Sequence, residues 1–514
     1  MRSKRYIKII GLLIYTILIA GIVFLIVNPN NNNSSSAEDE KKKPISVSEN
    51  INDEDYSWIP LPEIDLENPG GVYELNSLTS EAKNTIDLRT LSDHEVQING
   101  EDFSGKESYT FNIDSINEEN HIELTIDGEE YLIKTLPETL SNYDYENNGA
   151  EDGFYYFTYD SYIVKLSTDG EIVYYNDVGF PFNFTMHKTE DGKKYYSYGF
   201  RTNTNDKIDG IGYQPVKAVI MDESYKIVDE VESILPTDKL NVNPLDSHEF
   251  IFIDLGHYIV SSYYPEEVFN IPSEIKQNKF GANVVSAVIQ EIKDNEVLFE
   301  WNSTDHPELY DLSVEHNDFT NEHSNYADYF HFNSIAIDPE DDNLIVSARN
   351  MDTIFKIDRE TGEIHWKLGG KEDEFGLDEE QKFKRQHKLS FLSDGTILLF
   401  NNGNILPKGP YPIIPEDSPL MDETAETSIM KIKIDEDKKE ILDYENFLTG
   451  EFSGTRGSAQ MINEKENNVM IGWGSRENND AVFTEMNFST GEEVFVFYPN
   501  NDDIISYRSY KFNE

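Results

Sequence analysis

A strand–turn–strand pattern that recurs through the C-terminal part of the chain constrains its fold most strongly. Each copy consists of an apolar strand, a turn and a second strand, and the copies recur at intervals of about 50 to 75 residues. That spacing is typical of a β-propeller blade with its loops. The six copies are 163–166 with 170–175, 218–221 with 225–229, 287–290 with 296–301, 354–357 with 362–366, 429–432 with 439–443, and 482–486 with 491–497.

Another strand precedes most copies, and a polar residue often stands just before that strand. His248, His331 and His387 hold this position in three successive copies. The spacing from His248 to Gly256 equals that from His387 to Gly395, so both histidines have the same phase within the repeat. We therefore expect the three histidines to surround one mouth of a central channel.

Three interpretations of these histidines remain open on the sequence alone. They are structural residues at strand edges, or metal ligands, or groups for nucleophilic and acid–base chemistry. No His-x-His or HExxH spacing supports the metal interpretation.

Two further polar residues lie close to these histidines in sequence. Asn333 follows His331 by two residues, and Arg349 ends an apolar strand. Both side chains can donate hydrogen bonds to oxygens that gain negative charge, and arginine does so with a fork of two donors. The alternative for Arg349 is a structural ion pair with a neighbouring carboxylate.

The chain before the repeat divides into three predicted parts. Residues 58–140 alternate apolar and polar residues in short runs and contain the turn signals Asn99-Gly100 and Asp127-Gly128, which predicts a small, Ig-like β-sandwich. Residues 29–57 are rich in Asn, Ser, Glu and Lys, which indicates a disordered linker. The predicted propeller occupies residues 141–514.

The first 28 residues have the pattern of a membrane anchor. Basic residues precede an uncharged apolar run over residues 9–27, close to the roughly 20 residues that a membrane-spanning helix needs. The basic flank favours a cytoplasmic N-terminus with the body of the protein outside the cell, held by a single-pass anchor in the cell membrane. A cleaved signal peptide is the alternative.

Charge and cysteine content exclude several classes of function. The chain carries 98 acidic and 42 basic residues, a net charge of -56. Such a surface repels phosphates, so we expect no nucleic-acid partner, and an anionic substrate needs local positive charge. The sequence has no cysteine, which excludes disulfides, thiolate catalysis and Cys-ligated zinc.

At this point the motifs resemble those of the bacterial arylsulfate sulfotransferases, from about residue 58 to the C-terminus. The matching motifs are His331-x-Asn333-Ser334, the strand that ends at Arg349, the run 361–369, Gln386-His387, and Phe400-x-Asn-Gly403. The resemblance implies an all-β fold, with a six-bladed β-propeller preceded by a β-sandwich domain that helps to form a homodimer. The implied reaction moves a sulfuryl group from an aryl sulfate to a phenol without a nucleotide cofactor.

The resemblance also implies roles for individual residues. His387 corresponds to a nucleophile that becomes sulfated in a ping-pong reaction, and His331 to a neighbouring histidine that assists proton transfer or binds sulfate. Asn333 and Arg349 correspond to residues that hold the sulfuryl oxygens. His248 corresponds to a further active-site histidine. Thr455 is the best match to a late hydroxyl in the site, with Ser458 as its rival.

The sequence departs from the family pattern at a few points. Lys388 directly follows the proposed nucleophile, and the predicted anchor and the lack of cysteine also differ from soluble periplasmic relatives. Two other functions stay open: a propeller that binds an extracellular ligand or protein without catalysis, and a metal-dependent hydrolase. Since a nucleophilic imidazole must be neutral, we expect the transfer rate to fall at acidic pH, near 6.5 for an unperturbed histidine.

Overall fold

The described part of the chain consists of β-strands joined by turns and a few short 3-10 helices. The predicted membrane helix at residues 1–28 lies outside it, and within it no helix is long and apolar enough to span a bilayer. The computed structural model describes residues 45–50, 58–64, 72–75, 85–89, 94–106, 108–112, 122–135, 138–140, 143–202, 208, 212–223, 225–234, 245–404, 426–475, 480–501 and 504–513.

The N-terminal part forms two sheets, named N1 and N2. N1 has the antiparallel order β2-β1-β4-β7, and N2 has the order β3-β9-β8-β5-β6 with β3 and β9 parallel. The strands are β1 (Ile45–Asn50), β2 (Trp58–Ile64), β3 (Val72–Leu75), β4 (Thr85–Arg89), β5 (Val96–Ile98), β6 (Glu101–Asp102), β7 (Ser108–Asn112), β8 (Ile122–Ile126) and β9 (Glu129–Thr135).

Both turn signals of this part form hairpin turns. Asn99 and Gly100 have φ of 48° and 79° between β5 and β6, and Asp127 and Gly128 have φ of 53° and 92° between β8 and β9. Two consecutive positive φ values define the type I′ turn, whose twist matches that of the strands it joins. The predicted turns are therefore confirmed.

The linker predicted at residues 29–57 is wrong for one stretch. Residues 45–50 form β1, which pairs with β2 on one side and with β4 on the other. The reason is local: Ile45 and Val47 alternate with serines, a period-two pattern that favours a strand despite the polar composition around it. The remainder of the predicted linker lies outside the described residues.

Within the described residues, residues 144–512 form six antiparallel sheets, named S1 to S6. S3, S4 and S5 each have four strands that are consecutive along the chain, and S2 and S6 have four consecutive strands and one additional strand. S1 has three consecutive strands and the C-terminal strand β35. S1 contains β11 (Phe154–Tyr159), β12 (Tyr162–Ser167), β13 (Ile172–Asp177) and β35 (Ser509–Phe512). S2 contains β14 (Pro181–Lys188), β15 (Lys194–Arg201), β16 (Pro215–Met221), β17 (Ile227–Val231) and β18 (Leu245–Asp246).

The other four sheets follow the same plan. S3 contains β19 (Phe250–Asp254), β20 (His257–Val268), β21 (Ala282–Lys293) and β22 (Glu296–Asn302). S4 contains β23 (Phe332–Ile337), β24 (Leu344–Ala348), β25 (Thr353–Ile357) and β26 (Ile364–Gly369). S5 contains β27 (Leu389–Phe391), β28 (Ile397–Asn401), β29 (Ser428–Asp435) and β30 (Glu440–Leu448). S6 contains β10 (Asp144–Asn147), β31 (Ser458–Asn463), β32 (Asn468–Gly472), β33 (Phe483–Asn487) and β34 (Glu493–Tyr498).

The six strand pairs predicted from the repeat are all present. They are the pairs β12–β13, β16–β17, β21–β22, β25–β26, β29–β30 and β33–β34, each antiparallel. The repeat was therefore a correct guide to local pairing.

Apolar side chains join each sheet to the next and the last sheet to the first. Strands such as β25 are buried along their whole length, since both faces of a sheet are covered by its neighbours. Each fully buried apolar side chain stabilises the fold by roughly 1.5–3 kcal/mol. The rings of Tyr156 and Tyr196 pack between S1 and S2, and those of Phe483 and Tyr155 pack between S6 and S1. Between the other sheets, residues of both neighbours belong to one apolar cluster, such as Ile220 and Val260 for S2–S3, Val285 and Phe355 for S3–S4, Ile345 and Leu399 for S4–S5, and Leu398 and Ile471 for S5–S6.

Hydrogen bonds between the two ends of this region complete the arrangement. The C-terminal strand β35 pairs with β11 in S1, and β10 pairs with β34 in S6. Both ends of the region are therefore held in sheets whose other strands come from its opposite end.

A buried lysine links S4 to S5. Lys356 on β25 is 2% exposed, and its Nζ lies 2.8 Å from Asp338, 2.8 Å from Asp341 and 2.7 Å from Glu436, which directly follows β29. Burial alone would lower the pKa of Lys356, but the hydrogen bonds that its Nζ donates to these carboxylates raise the pKa above its ordinary value. Asp338 and Asp341 belong to the acidic run at residues 338–342. Two carboxylates of this run therefore form ion pairs with Lys356.

We expect Lys356→Met to lower the free energy of unfolding by about 3–5 kcal/mol, because it leaves the buried Asp338 carboxylate without its cation. Denaturant unfolding measures this change. Lys382→Met, which removes an exposed pair with Glu379, serves as the control and is expected to leave the unfolding midpoint unchanged. Equal effects of the two substitutions would contradict the role given to Lys356.

Candidate active site

The three predicted histidines lie where the chain enters the edge strands of three successive sheets. His248 stands between β18 and β19, His331 directly precedes β23, and His387 lies two residues before β27. His331 has a φ of 57°, which is uncommon for a residue with a side chain and is held by a hydrogen bond from the Arg349 N–H to the His331 carbonyl (2.9 Å).

The structure brings these histidines together. The ring centroids of His248 and His331 are 5.0 Å apart, and those of His248 and His387 are 5.6 Å apart. All three are 5% exposed or less. Residues separated by up to 139 positions thus form one buried cluster, as the phase of the repeat predicted. Their chemical roles stay predictions.

Each imidazole is fixed through the same ring nitrogen. Nδ1 of His248 bonds to Asp246 (2.8 Å), Nδ1 of His331 bonds to Asp328 (2.6 Å), and Nδ1 of His387 donates to the Gly457 carbonyl (2.8 Å). A carbonyl oxygen only accepts, so Nδ1 of His387 carries the proton. In neutral His387 the lone pair therefore resides on Nε2, which is the nitrogen available for nucleophilic attack.

Two residues that the sequence analysis did not identify, Tyr507 and Arg508, complete the surroundings of His387. The Tyr507 hydroxyl lies 3.4 Å from His387 Nε2. Arg508 is fully buried and donates to Glu249 (3.1 Å) and to the Asn333 carbonyl (2.6 Å). They were missed because they stand just before β35, which lies beyond the last copy of the repeat.

Burial and nearby positive charge favour the neutral forms of His387 and His248. Burial lowers the pKa of His387 well below its ordinary value, and Arg508 and His248 lower it further. Burial also lowers the pKa of His248, although Asp246 opposes this effect. Lys388 bonds to Glu249 (2.6 Å), so Glu249 is held by two cations, Lys388 and Arg508, and its pKa is lowered despite burial. Lys388, a departure from the family pattern, thus has a structural partner.

Asn333 and Arg349 have protein partners in the structure. Nδ2 of Asn333 donates to the Gln386 carbonyl (2.7 Å), while its Oδ1 is buried without a hydrogen-bond partner among the described residues. Arg349 Nη1 forms an ion pair with the buried carboxylate of Glu315 and bonds to Asn350 (2.8 Å). The ion-pair alternative for Arg349 is therefore realised, and its contact with sulfuryl oxygens remains a prediction.

The late hydroxyls have hydrogen-bond partners outside the histidine cluster. Thr455 is exposed, and its Oγ1 lies 3.1 Å from Ser475 Oγ. Ser458 is buried and donates to the Ser509 carbonyl (3.1 Å). Neither hydroxyl bonds to a member of the histidine cluster within the described residues. The loop between them, which includes Gly457, nevertheless supports His387 through its backbone.

A cavity of about 760 Å³ is lined by Tyr507, whose hydroxyl lies 3.4 Å from His387 Nε2, whereas none of the three histidines lines the cavity itself. This volume is within the range of sites that enclose small organic molecules. Among the described residues, no group of three or more His, Asp or Glu side chains is arranged to hold a metal ion. The cavity is lined by Thr139, Thr158, Asp160, Pro181, Phe182, Arg456, Asn500, Asn501, Ile504, Ile505 and Tyr507.

Comparison with known proteins identifies the family. The family profile described as arylsulfotransferase (ASST) matches residues 200–482, which is more than half of the chain and contains all three histidines. The chain belongs to the arylsulfotransferase family. This result confirms the resemblance seen in the sequence and supports a sulfotransferase activity in general terms. No curated protein matches the chain.

Solved structures similar to this arylsulfotransferase have little sequence identity with it. A protein of unknown function from Bacteroides caccae is 11% identical, with 71% of this chain and 100% of that chain covered and a TM-score of 0.37. The Cps50 (Swd1) β-propeller domain of Myceliophthora thermophila is 11% identical, with 70% and 88% covered and a TM-score of 0.33. At these TM-scores the likeness carries no argument about this chain.

The lowered pKa of His387 changes the pH dependence expected from the sequence. A base with a lowered pKa stays neutral at more acidic pH, so the rate of aryl sulfate cleavage is expected to decline only well below pH 6.5. Initial rates of phenol release, measured as a function of pH, locate the decline. Circular dichroism over the same pH range separates titration from unfolding, and a decline at or above pH 6.5 in folded protein would contradict this assignment.

Proposed function

We propose that the protein is an arylsulfate sulfotransferase that works by a ping-pong mechanism through a sulfohistidine at His387. The observation that supports this most directly is the state of His387: a buried imidazole whose proton is held on Nδ1 by Gly457 and whose Nε2 faces Tyr507 at the wall of the cavity. A neutral, oriented nitrogen beside a cavity is suited to nucleophilic attack.

In the first half-reaction, Nε2 of His387 attacks the sulfur of the aryl sulfate. The new N–S bond forms as the ester O–S bond breaks, and the electron pair of the broken bond leaves with the phenolate oxygen. His331 in its protonated form is the proposed proton donor to this oxygen, and its Nδ1 bond to Asp328 orients the ring. The products are a free phenol and sulfated His387.

In the second half-reaction, a phenol acceptor occupies the position of the first product. Its oxygen attacks the sulfur, its proton passes to His331, and the N–S bond breaks so that the electron pair returns to Nε2 of His387. Asn333 and Arg349 are the proposed donors to the sulfuryl oxygens. His248, anchored on Asp246 between the other two rings, is the proposed third histidine of the site.

We further propose that S1 to S6 are the blades of a six-bladed β-propeller, with N1 and N2 as its β-sandwich companion. The cyclic sequence of apolar contacts and the pairing of β35 with β11 support this architecture. An N-terminal anchor in the cell membrane, an extracellular catalytic domain and a homodimer formed through the N-terminal domain belong to the same proposal. They rest on the apolar run at residues 9–27 and on the family resemblance.

His387→Ala is expected to abolish both aryl sulfate cleavage and the formation of sulfated enzyme, because it removes the nucleophile. Mass spectrometry after brief exposure to a chromogenic aryl sulfate measures the gain of one sulfuryl group on wild-type His387. His365→Ala is the matched control, since His365 is partly exposed and bonds to Asp358 away from the cluster. Full turnover by His387→Ala would refute the mechanism.

Steady phenol release is expected to require an acceptor phenol, because sulfated His387 accumulates when no acceptor is present. The assay compares release from a chromogenic aryl sulfate with and without a second phenol. Equal steady rates in both conditions would instead identify a sulfatase. Loss of either activity on treatment with a chelator would favour the metal-dependent hydrolase.

A further inference from the structure

Most cations around the histidine cluster already have carboxylate partners. Arg349 is paired with Glu315, and both Lys388 and Arg508 are paired with Glu249. A substrate anion that binds to one of these groups competes with a buried carboxylate. A cation without a carboxylate partner would supply positive charge for an anionic substrate without this competition.

Arg456 differs from these cations. It lines the cavity together with Tyr507, and its guanidinium has no ion pair or hydrogen bond with any residue that the structure describes. It is also close enough to Tyr507 to act on its hydroxyl electrostatically. The cavity that Tyr507 separates from His387 thus contains an arginine whose donors are available.

The backbone holds Arg456 in a fixed and uncommon conformation. Its φ is 65°, and its carbonyl accepts a hydrogen bond from Asn402 Nδ2 (3.1 Å). A Cβ added to Gly474 would come within 2.7 Å of the Thr455 carbonyl, so this loop packs closely against its neighbour. Strain of this kind persists where the surroundings impose it, and it often accompanies functional sites.

The same loop orients the proposed nucleophile. The residue after Arg456 is Gly457, whose carbonyl accepts the Nδ1 proton of His387. One short segment therefore fixes the tautomer of His387 and also places a cation at the wall of the cavity. The position of His387 and the position of Arg456 therefore both depend on the backbone of the loop that contains Arg456 and Gly457.

We propose that Arg456 is the anion-binding residue of the cavity and that it holds the sulfate group of an aryl sulfate beside His387. A guanidinium offers paired donors that match two oxygens of a sulfate group. The adjoining wall includes Pro181, Phe182 and Ile504, which provide apolar surface for the aromatic ring. This inference rests on the proposed function and gives Arg456 a role that the sequence analysis gave to Arg349.

Asp160 also lines the cavity and carries the opposite charge. Its side chain is exposed and makes no ion pair with Arg456 among the described residues. The cavity therefore has one positive side chain, Arg456, and one negative side chain, Asp160. A ligand with a single anionic group and an uncharged aromatic part fits these charges, whereas Asp160 repels a second negative charge on the ring. The ligand class is therefore a mono-anionic aryl sulfate.

The test uses benzenesulfonate, which has the anionic group and the ring of the donor but a carbon–sulfur bond that is not transferred. Calorimetric titration of the full chain measures its Kd without any turnover. Arg456→Gln is expected to weaken binding by about 10- to 100-fold, as for the loss of a charged hydrogen-bonding partner. Arg456→Lys, which keeps the charge but loses the fork, is expected to be intermediate.

Two controls make the result specific. Arg359→Gln removes the same charge from an arginine bound to Glu291 and is expected to leave the Kd for benzenesulfonate unchanged. Binding of neutral phenol is expected to change by less than about twofold in Arg456→Gln, because an anion site does not act on a neutral ligand. A general loss of structure would weaken both ligands equally.

Each outcome decides one question. An unchanged Kd for benzenesulfonate in Arg456→Gln would overturn the proposal, and a loss confined to Arg349→Gln would return the role to Arg349. Binding that depends on Arg456 supports the proposal even where His387→Ala leaves catalysis intact, since the titration involves no transfer. Failure of the sulfohistidine mechanism and failure of the Arg456 site are therefore distinguishable.

Discussion

The pairing of β35 with β11 is the contact on which the rest of the catalytic region depends. It joins the C-terminal strand to the beginning of the sheet array, and it places Tyr507 and Arg508 among residues from S3, S4 and S5. Without this pairing, His387 would lack Tyr507, and Glu249 would lack one of its two cations. The strand pairing that joins S1 to the C-terminal end of the chain therefore also places Tyr507 and Arg508 beside the histidine cluster.

Burial is the second constraint, because a charge removed from water must be compensated within the protein. Glu249 forms ion pairs with Lys388 and Arg508, Asp338 forms one with Lys356, and Glu315 forms one with Arg349. The histidines follow a related rule. Each has Nδ1 bonded to an acceptor, which fixes the ring before any substrate arrives. Such preorganisation avoids the cost of ordering these groups during reaction.

Sequence patterns predicted the structure correctly where residues close together in the chain determine the backbone conformation. The Asn99-Gly100 and Asp127-Gly128 turns and the six strand pairs were predictable, since turn chemistry and apolar runs act over a few residues. The prediction of a linker was wrong at residues 45–50, which form β1. The polar composition of this stretch predicted a linker, whereas the alternation of Ile45 and Val47 with serines favours a strand. Asp246 and Asp328, at two and three residues from their histidines, carried a signal that spacing could have revealed.

The sequence by itself determined that strands form, how neighbouring strands pair, and that three histidines share one position in a repeat. Only the tertiary structure decided which groups surround them. Arg508 reaches Glu249 across 259 positions, and Arg349 is bound to Glu315. Strand pairing depends on neighbours in the chain, whereas the availability of a charged side chain depends on which distant carboxylate the fold brings beside it. For the same reason, Arg456 is distinguished by its surroundings in the cavity.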